Sequence, residues 1–272
     1  MKLQLVPART GMKWVHEGIR AFLRMPLAFA SLFLMFVVAT KVLSLIPVIG
    51  IMLALALLPA ATVGLMAATR EILDGRLPQP ATLVVAFRQS PRQTRAILLL
   101  GVIYVVAMLL IVFTASLLND GQLEQLVAKY GGQNLRPELL LADPALQQAA
   151  RAAIRQMLVS CLLYVPVSTL LWHAPALVHW RGVPVGKSLF FSAVAVLRNA
   201  PAYLVYGLGW MAVCSIAWAG LLILTALSGN IGFALSGLEP LSLLIACMFY
   251  ASLWFTFRDS FADDETPPPA TS

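Results

Sequence analysis

The run Gly182-Val183-Pro184-Val185-Gly186-Lys187-Ser188 carries the residue types of a phosphate-binding loop. In such a loop backbone N–H groups curl around a phosphate while Lys and Ser or Thr reach its oxygens and metal. The spacing defeats that reading. The loop needs four residues between its glycines and here there are three, Pro184 removes an N–H donor, and a helical apolar run precedes it rather than a buried strand. Nucleotide binding is not expected.

Ionisable residues inside apolar segments come next, because a charge in hydrocarbon is costly and marks either a function or an escape to the headgroups. Lys41 is the only strongly ionisable residue well inside a span. It lies near the outer end of its run, so its long stem can carry the ammonium to the headgroups, and snorkelling is expected over lining a polar cavity. His173 and His179 flank Pro175 near the end of the fourth apolar run, with Trp172 and Trp180 beside them as interface anchors. Their separation puts the two imidazoles on different helical faces, a poor metal pair; interfacial residence is expected over a proton relay. Cys161, Cys214 and Cys247 each sit in an apolar run, where a thiol packs as a small hydrophobe. No Asp or Glu lies deep in a span and no nucleophile and base are local to one another. The expectation is a non-enzyme with no catalytic residue, no metal site and no cofactor.

What must position these residues is a bilayer. Of 272 residues 60% are apolar and 11% charged, with mean hydropathy +0.85, too little polar surface for a dissolved domain. Apolar runs go from Pro26 to about Ile46, through a tight turn at Pro47-Val48-Ile49-Gly50 to near Thr69, and from Ala96 to Leu118. Three more go from about Met157 to Trp180, from Ala202 to Leu227 and from roughly Pro240 to Phe257. The expected fold is all-α, a polytopic transmembrane helical bundle of six spans over residues 1–262, with a disordered acidic and proline-rich tail at 263–272. Pro166 and Pro175 should kink span four, and Ser228-Gly229-Asn230 should turn the chain between spans five and six. Residues 119–155 form the one sizeable extramembrane loop, with Asp143-Pro144 as a helix start.

The net charge of +7 would suggest nucleic acid in a soluble protein, but the basic residues flank the apolar runs, so topology explains them and no nucleic-acid partner is expected. Lys2, Arg9, Lys13, Arg20 and Arg24 precede span one; Arg70, Arg76, Arg88, Arg92 and Arg95 follow span two; Arg181, Lys187 and Arg198 follow span four. The loop at 119–155 balances its basic residues with acidic ones. Both termini are therefore expected in the cytoplasm and that loop outside it. The segment Met1 to Arg24 is too polar, and the run after it too long, for a cleaved signal.

Each odd-numbered span is introduced by an apolar residue, an Arg and a Pro: Leu23-Arg24-Met25-Pro26, Phe87-Arg88-Gln89-Ser90-Pro91 and Leu197-Arg198-Asn199-Ala200-Pro201. In the first copy Trp14, Val15, Gly18, Ile19, Phe22 and Leu23 share one helical face and Lys13, His16, Glu17, Arg20 and Arg24 the other, the pattern of an amphipathic helix in the membrane interface. Such interfacial helices are expected before spans 1, 3 and 5, with Arg24, Arg88 and Arg198 reaching lipid phosphates. Three repeats follow, roughly 1–70, 71–180 and 181–262. Small residues at Ala60-Gly64-Ala68 and Ser228-Gly232-Ser236 suit close helix packing, within the chain or in a homo-oligomer.

The N-terminal block Met1-Lys2-Leu3-Gln4-Leu5-Val6-Pro7-Ala8-Arg9-Thr10-Gly11 with Trp14 and Gly18, and the Arg198-Asn199-Ala200-Pro201 run, resemble an uncharacterised family of multi-pass proteobacterial inner-membrane proteins. The resemblance implies a bacterial inner-membrane location and carries no established activity. The residues favour a non-enzymatic protein that organises or assists other membrane components, with anionic lipid headgroups and a membrane-protein partner or second copy as its contacts. A transporter or permease for a small or lipid-like substrate is the alternative, recognisable by a mid-membrane cavity lined by Lys41, Tyr104, His173 or Ser168.

Overall fold

The computed structural model describes residues 2–117, 144–229 and 231–262. Most of the loop expected at 119–155 and the whole tail at 263–272 lie outside the described residues. Helix α1 (Thr10–Arg24) leads into α2 (Pro26–Ser44) and α3 (Ile49–Leu73). A 3₁₀ helix, Pro80–Phe87, precedes α4 (Pro91–Ser116). Then come α5 (Pro144–Leu171), α6 (Ala174–Arg181), α7 (Val185–Arg198), α8 (Ala200–Ser228) and α9 (Ile231–Ser260). Six of these segments are long and apolar enough to span: α2, α3, α4, the α5–α6 stretch Gln147–Arg181, α8, and Ser236–Ser260 of α9. The protein is an all-α, polytopic membrane bundle.

Prolines open many of these helices because the first-turn N–H has no intrahelical partner to lose. Pro26 and Pro91 start their helices, and Pro144 starts α5, so the described part of the polar stretch, 144–155, is helical. The hairpin between α2 and α3 closes on a γ-turn: Ile49 N–H donates to the Pro47 carbonyl at 2.6 Å and Val48 takes φ 61°. After α8 the chain turns at Gly229, φ 65°, where a residue without Cβ ends a helix at no steric cost.

Two short strands, β1 (Lys2–Leu3) and β2 (Phe261–Ala262), pair antiparallel with Leu3 opposite Phe261. They bring both ends of the described chain to one end of the bundle, here the terminal face. The starts of α2, α4 and α8 lie at that same face because successive spans alternate in direction.

Helix α1 does not direct its apolar face at lipid. Trp14, Val15, Gly18 and Phe22 are buried, and the helix packs on α8 and α9. Close approach requires its glycines: a Cβ on Gly11 would stand 2.1 Å from the Ala202 carbonyl oxygen, and one on Gly18 2.3 Å from the Ser252 Cβ. Helix α7 does the reverse, burying Ser188, Ser192 and Ala195 and exposing Phe190 and Leu197. The segments before spans one, three and five are thus all helical but differ in kind.

Span four also departs from expectation. In place of a single kinked helix, the helix breaks at Trp172 and His173 and restarts as α6. Pro175 has no N–H for the Leu171 carbonyl, and its ring clashes with that carbonyl in a continuous helix. Ser192 of α7 repairs the break: its Oγ accepts from His173 N–H at 2.9 Å and donates to the Thr169 carbonyl at 2.8 Å. Hydroxyl side chains commonly satisfy freed backbone groups in membrane helices. Pro166 lies inside α5 without interrupting it.

Helix α3 is the most enclosed span, 44% buried in its apolar window against 6% for α8. Its stripe of Ala60, Gly64 and Ala68 is buried, and the Leu83 backbone of the 3₁₀ helix lies against Gly64. Ile216, Leu222 and Ile223 of α8 are exposed, which suits hydrocarbon surroundings.

Candidate functional site

The three arginines expected at lipid phosphates end up alike. Arg24 closes α1, Arg88 follows the 3₁₀ helix and Arg198 closes α7, each exposed at the terminal face. None has an ion-pair or hydrogen-bond partner among the described residues. Their neighbours behave differently. Lys13 lies 3.7 Å from Asp259, and Arg258 reaches Glu17 at 3.1 Å and Asp259 at 2.7 Å, while the Trp14 indole N–H donates to Asp259 at 3.1 Å. Glu17 and Asp259 thus neutralise Lys13 and Arg258, while the three arginines, like the exposed Arg20 and Arg92, have no partner among the described residues.

Lys41 lies in the last turn of α2, exposed, at the end of the bundle opposite the terminal face. A cation there also meets the negative end of the helix dipole.

Both histidines are covered by protein. His173 is 0% exposed, its Nε2 sharing a 2.5 Å hydrogen bond with the Tyr203 hydroxyl and its ring packed against both Phe257 and Phe261. His179 is also buried, with Nε2 3.2 Å from the Gln89 amide nitrogen. Their separate partners show that the two do not form one site. The flanking tryptophans point inward too: the Trp172 indole N–H donates to Thr256 Oγ1 at 3.3 Å, and Trp180 meets Trp254 edge-on and lies tilted against Phe257.

Around His173 runs a ladder of buried hydroxyls that sequence reasoning missed. Ser252, Thr256 and Ser260 recur every fourth residue along one face of α9, and Tyr206 meets Ser252 at 2.6 Å. That spacing was a usable signal in an apolar helix. Below the ladder the N-terminal strand closes the bundle: Gln4 N–H donates to the Ser260 carbonyl, and the buried Asn199 holds Val6 N–H and the Gln4 carbonyl. On the other side Trp172 borders a cavity of about 140 Å³ among α3, α4, α5 and α9, with Tyr104, Tyr164 and Ser168 in its walls. Lys41 and His173 are not in it. No group of three or more His, Cys, Asp or Glu converges among the described residues.

A "probable inner membrane protein" of Burkholderia thailandensis is 38% identical to this chain over 270 residues, 99% of this chain and 97% of the relative. The chain belongs to that protein's family. It is accordingly a multi-pass inner-membrane protein, as the six apolar helices require and as the N-terminal resemblance implied. No family model matches it. No solved structure matches it either.

Proposed function

We propose that this protein is a non-enzymatic organiser or accessory of other inner-membrane components that holds anionic lipid at its terminal face. The observation that carries the reading is the set of unpaired guanidinium groups, Arg24, Arg88 and Arg198, at the starts of spans one, three and five. Juxtamembrane basic residues each contribute about 1 kcal/mol of attraction to an anionic leaflet. Helix α7 supports the same reading, because it turns Phe190 and Leu197 outward on the face that also carries Lys187 and Arg198. The excess of Lys and Arg on this face supports a cytoplasmic orientation for it. Its partners are anionic headgroups and, on the same surface, a membrane protein or a second copy.

The test compares thermal stability in nanodiscs of anionic and of zwitterionic lipid at low salt. Anionic lipid should stabilise the wild type, and replacing all three arginines by Gln should remove most of that difference. An unchanged difference in the triple variant would reject the reading.

A second reading, transport of a small or lipid-like substrate, is favoured by one observation, the mid-membrane cavity lined by Tyr104 and Ser168.

A further inference from the structure

We propose that the cavity among α3, α4, α5 and α9 binds an uncharged lipid whose ring-sized head carries carbonyl or hydroxyl oxygens, the class of the prenylated quinones and quinols. Depth comes first. Thr62, Tyr104, Tyr164 and Tyr250 all line the cavity, and each lies in the middle third of its span, Ile49–Leu73, Pro91–Ser116, Gln147–Arg181 and Ser236–Ser260. A ligand there arrives through hydrocarbon, which selects a lipid-soluble molecule over a sugar or an ion.

Size comes second. The volume of about 140 Å³ is close to that of an apolar protein cavity, about 150 Å³, that admits benzene. One six-membered ring fits, with a tail left in the bilayer.

Chemistry selects the ring's substituents. The phenols of Tyr104 and Tyr164 lie within range of each other, and Tyr250 is beside Tyr164. Apart from that mutual approach, none of the three hydroxyls has a hydrogen-bond partner among the described residues. A bond between Tyr104 and Tyr164 uses only one of their two protons, so one phenol proton of that pair and the proton of Tyr250 are left without an acceptor among the described residues, and an oxygen-bearing guest is stabilised at that depth. Thr62 and Ser168 donate their protons to the Leu58 and Val165 carbonyls of their own helices, which leaves their lone pairs as acceptors. The wall therefore offers phenol donors to a carbonyl and hydroxyl acceptors to a quinol. Trp172 and Phe249 add aromatic faces, and no charged side chain lines the cavity, so a phosphate or carboxylate would sit there without a counterion.

The inference is independent of the lipid-phosphate reading, whose arginines lie at the end of the bundle. The experiment uses the full chain in nanodiscs, with short-chain ubiquinone as probe and tryptophan quenching and thermal shift as readouts. Saturable quenching and a concentration-dependent thermal shift are expected. Tyr104→Phe combined with Tyr164→Phe should weaken binding at least tenfold while leaving the unliganded melting temperature near wild type, since those hydroxyls hold no other part of the protein. Trp172→Phe should remove much of the saturable quenching. A phenylalkane with a tail of similar length should compete poorly. Quenching that rises linearly with quinone, unchanged affinity in the double Tyr variant, or equal competition by the oxygen-free ring would each overturn the proposal.

Discussion

The side-chain amide of Asn199 reaches Gln4 across 195 positions of sequence: its Nδ2 donates to the Gln4 carbonyl at 3.0 Å. Its Oδ1 accepts from Val6 N–H at 2.9 Å, so one buried side chain satisfies two backbone groups of the N-terminal arm. The arm in turn bonds to the end of α9. The start of span five thereby holds both ends of the described chain together.

Replacing Asn199 by Ala removes its part-buried hydrogen bonds to Val6 N–H and the Gln4 carbonyl, each worth about 0.5–1.5 kcal/mol net. The expected outcome is destabilisation by about 2 kcal/mol and faster cleavage at Arg9 in limited proteolysis. A variant that melts like wild type and protects Arg9 equally would show that the clamp contributes nothing.

Gly18 and Gly207 make a matched pair. A Cβ at Gly18 meets Ser252 Cβ at 2.3 Å and its Cα at 2.8 Å, whereas one at Gly207 meets nothing within 4 Å. Gly18→Ala should destabilise by about 1–3 kcal/mol through overpacking of α1 on α9. Gly207→Ala should be neutral or stabilising by up to about 1 kcal/mol, the helix-propensity gain. Thermal unfolding of both variants in one detergent checks the pair.

The six spans and most of their ends were legible in the sequence because a bilayer requires long apolar runs, and because prolines at Pro26, Pro91 and Pro144 and Gly229 act locally. The break at His173 was not legible, since the hydroxyl that makes it tolerable belongs to Ser192, in another helix. The same reason hid the inward turn of Trp172, His173 and His179, whose partners Thr256, Tyr203 and Gln89 lie 84, 30 and 90 positions away. Amphipathicity placed Trp14 and Phe22 on one face of α1 but was silent on whether protein or lipid would cover it. The exposure of Arg24, Arg88 and Arg198 was legible because it follows from their place at helix ends, a local property.

The basic residues of the terminal face predict that this face lies in the cytoplasm. Single cysteines in a background with Cys161, Cys214 and Cys247 replaced by Ala report it. Leu117→Cys, at the far end of α4, should react with an impermeant maleimide in spheroplasts, and Ala8→Cys only after lysis. The reverse pattern would place the terminal face outside.

The most direct measurement is native mass spectrometry of the protein extracted from its own membranes, comparing wild type with the variant carrying Gln at 24, 88 and 198. Wild type should retain anionic phospholipid in excess of its membrane abundance, and the triple variant should lose that excess while keeping its fold by circular dichroism. Equal anionic lipid on both proteins would contradict a lipid-holding role for the three arginines.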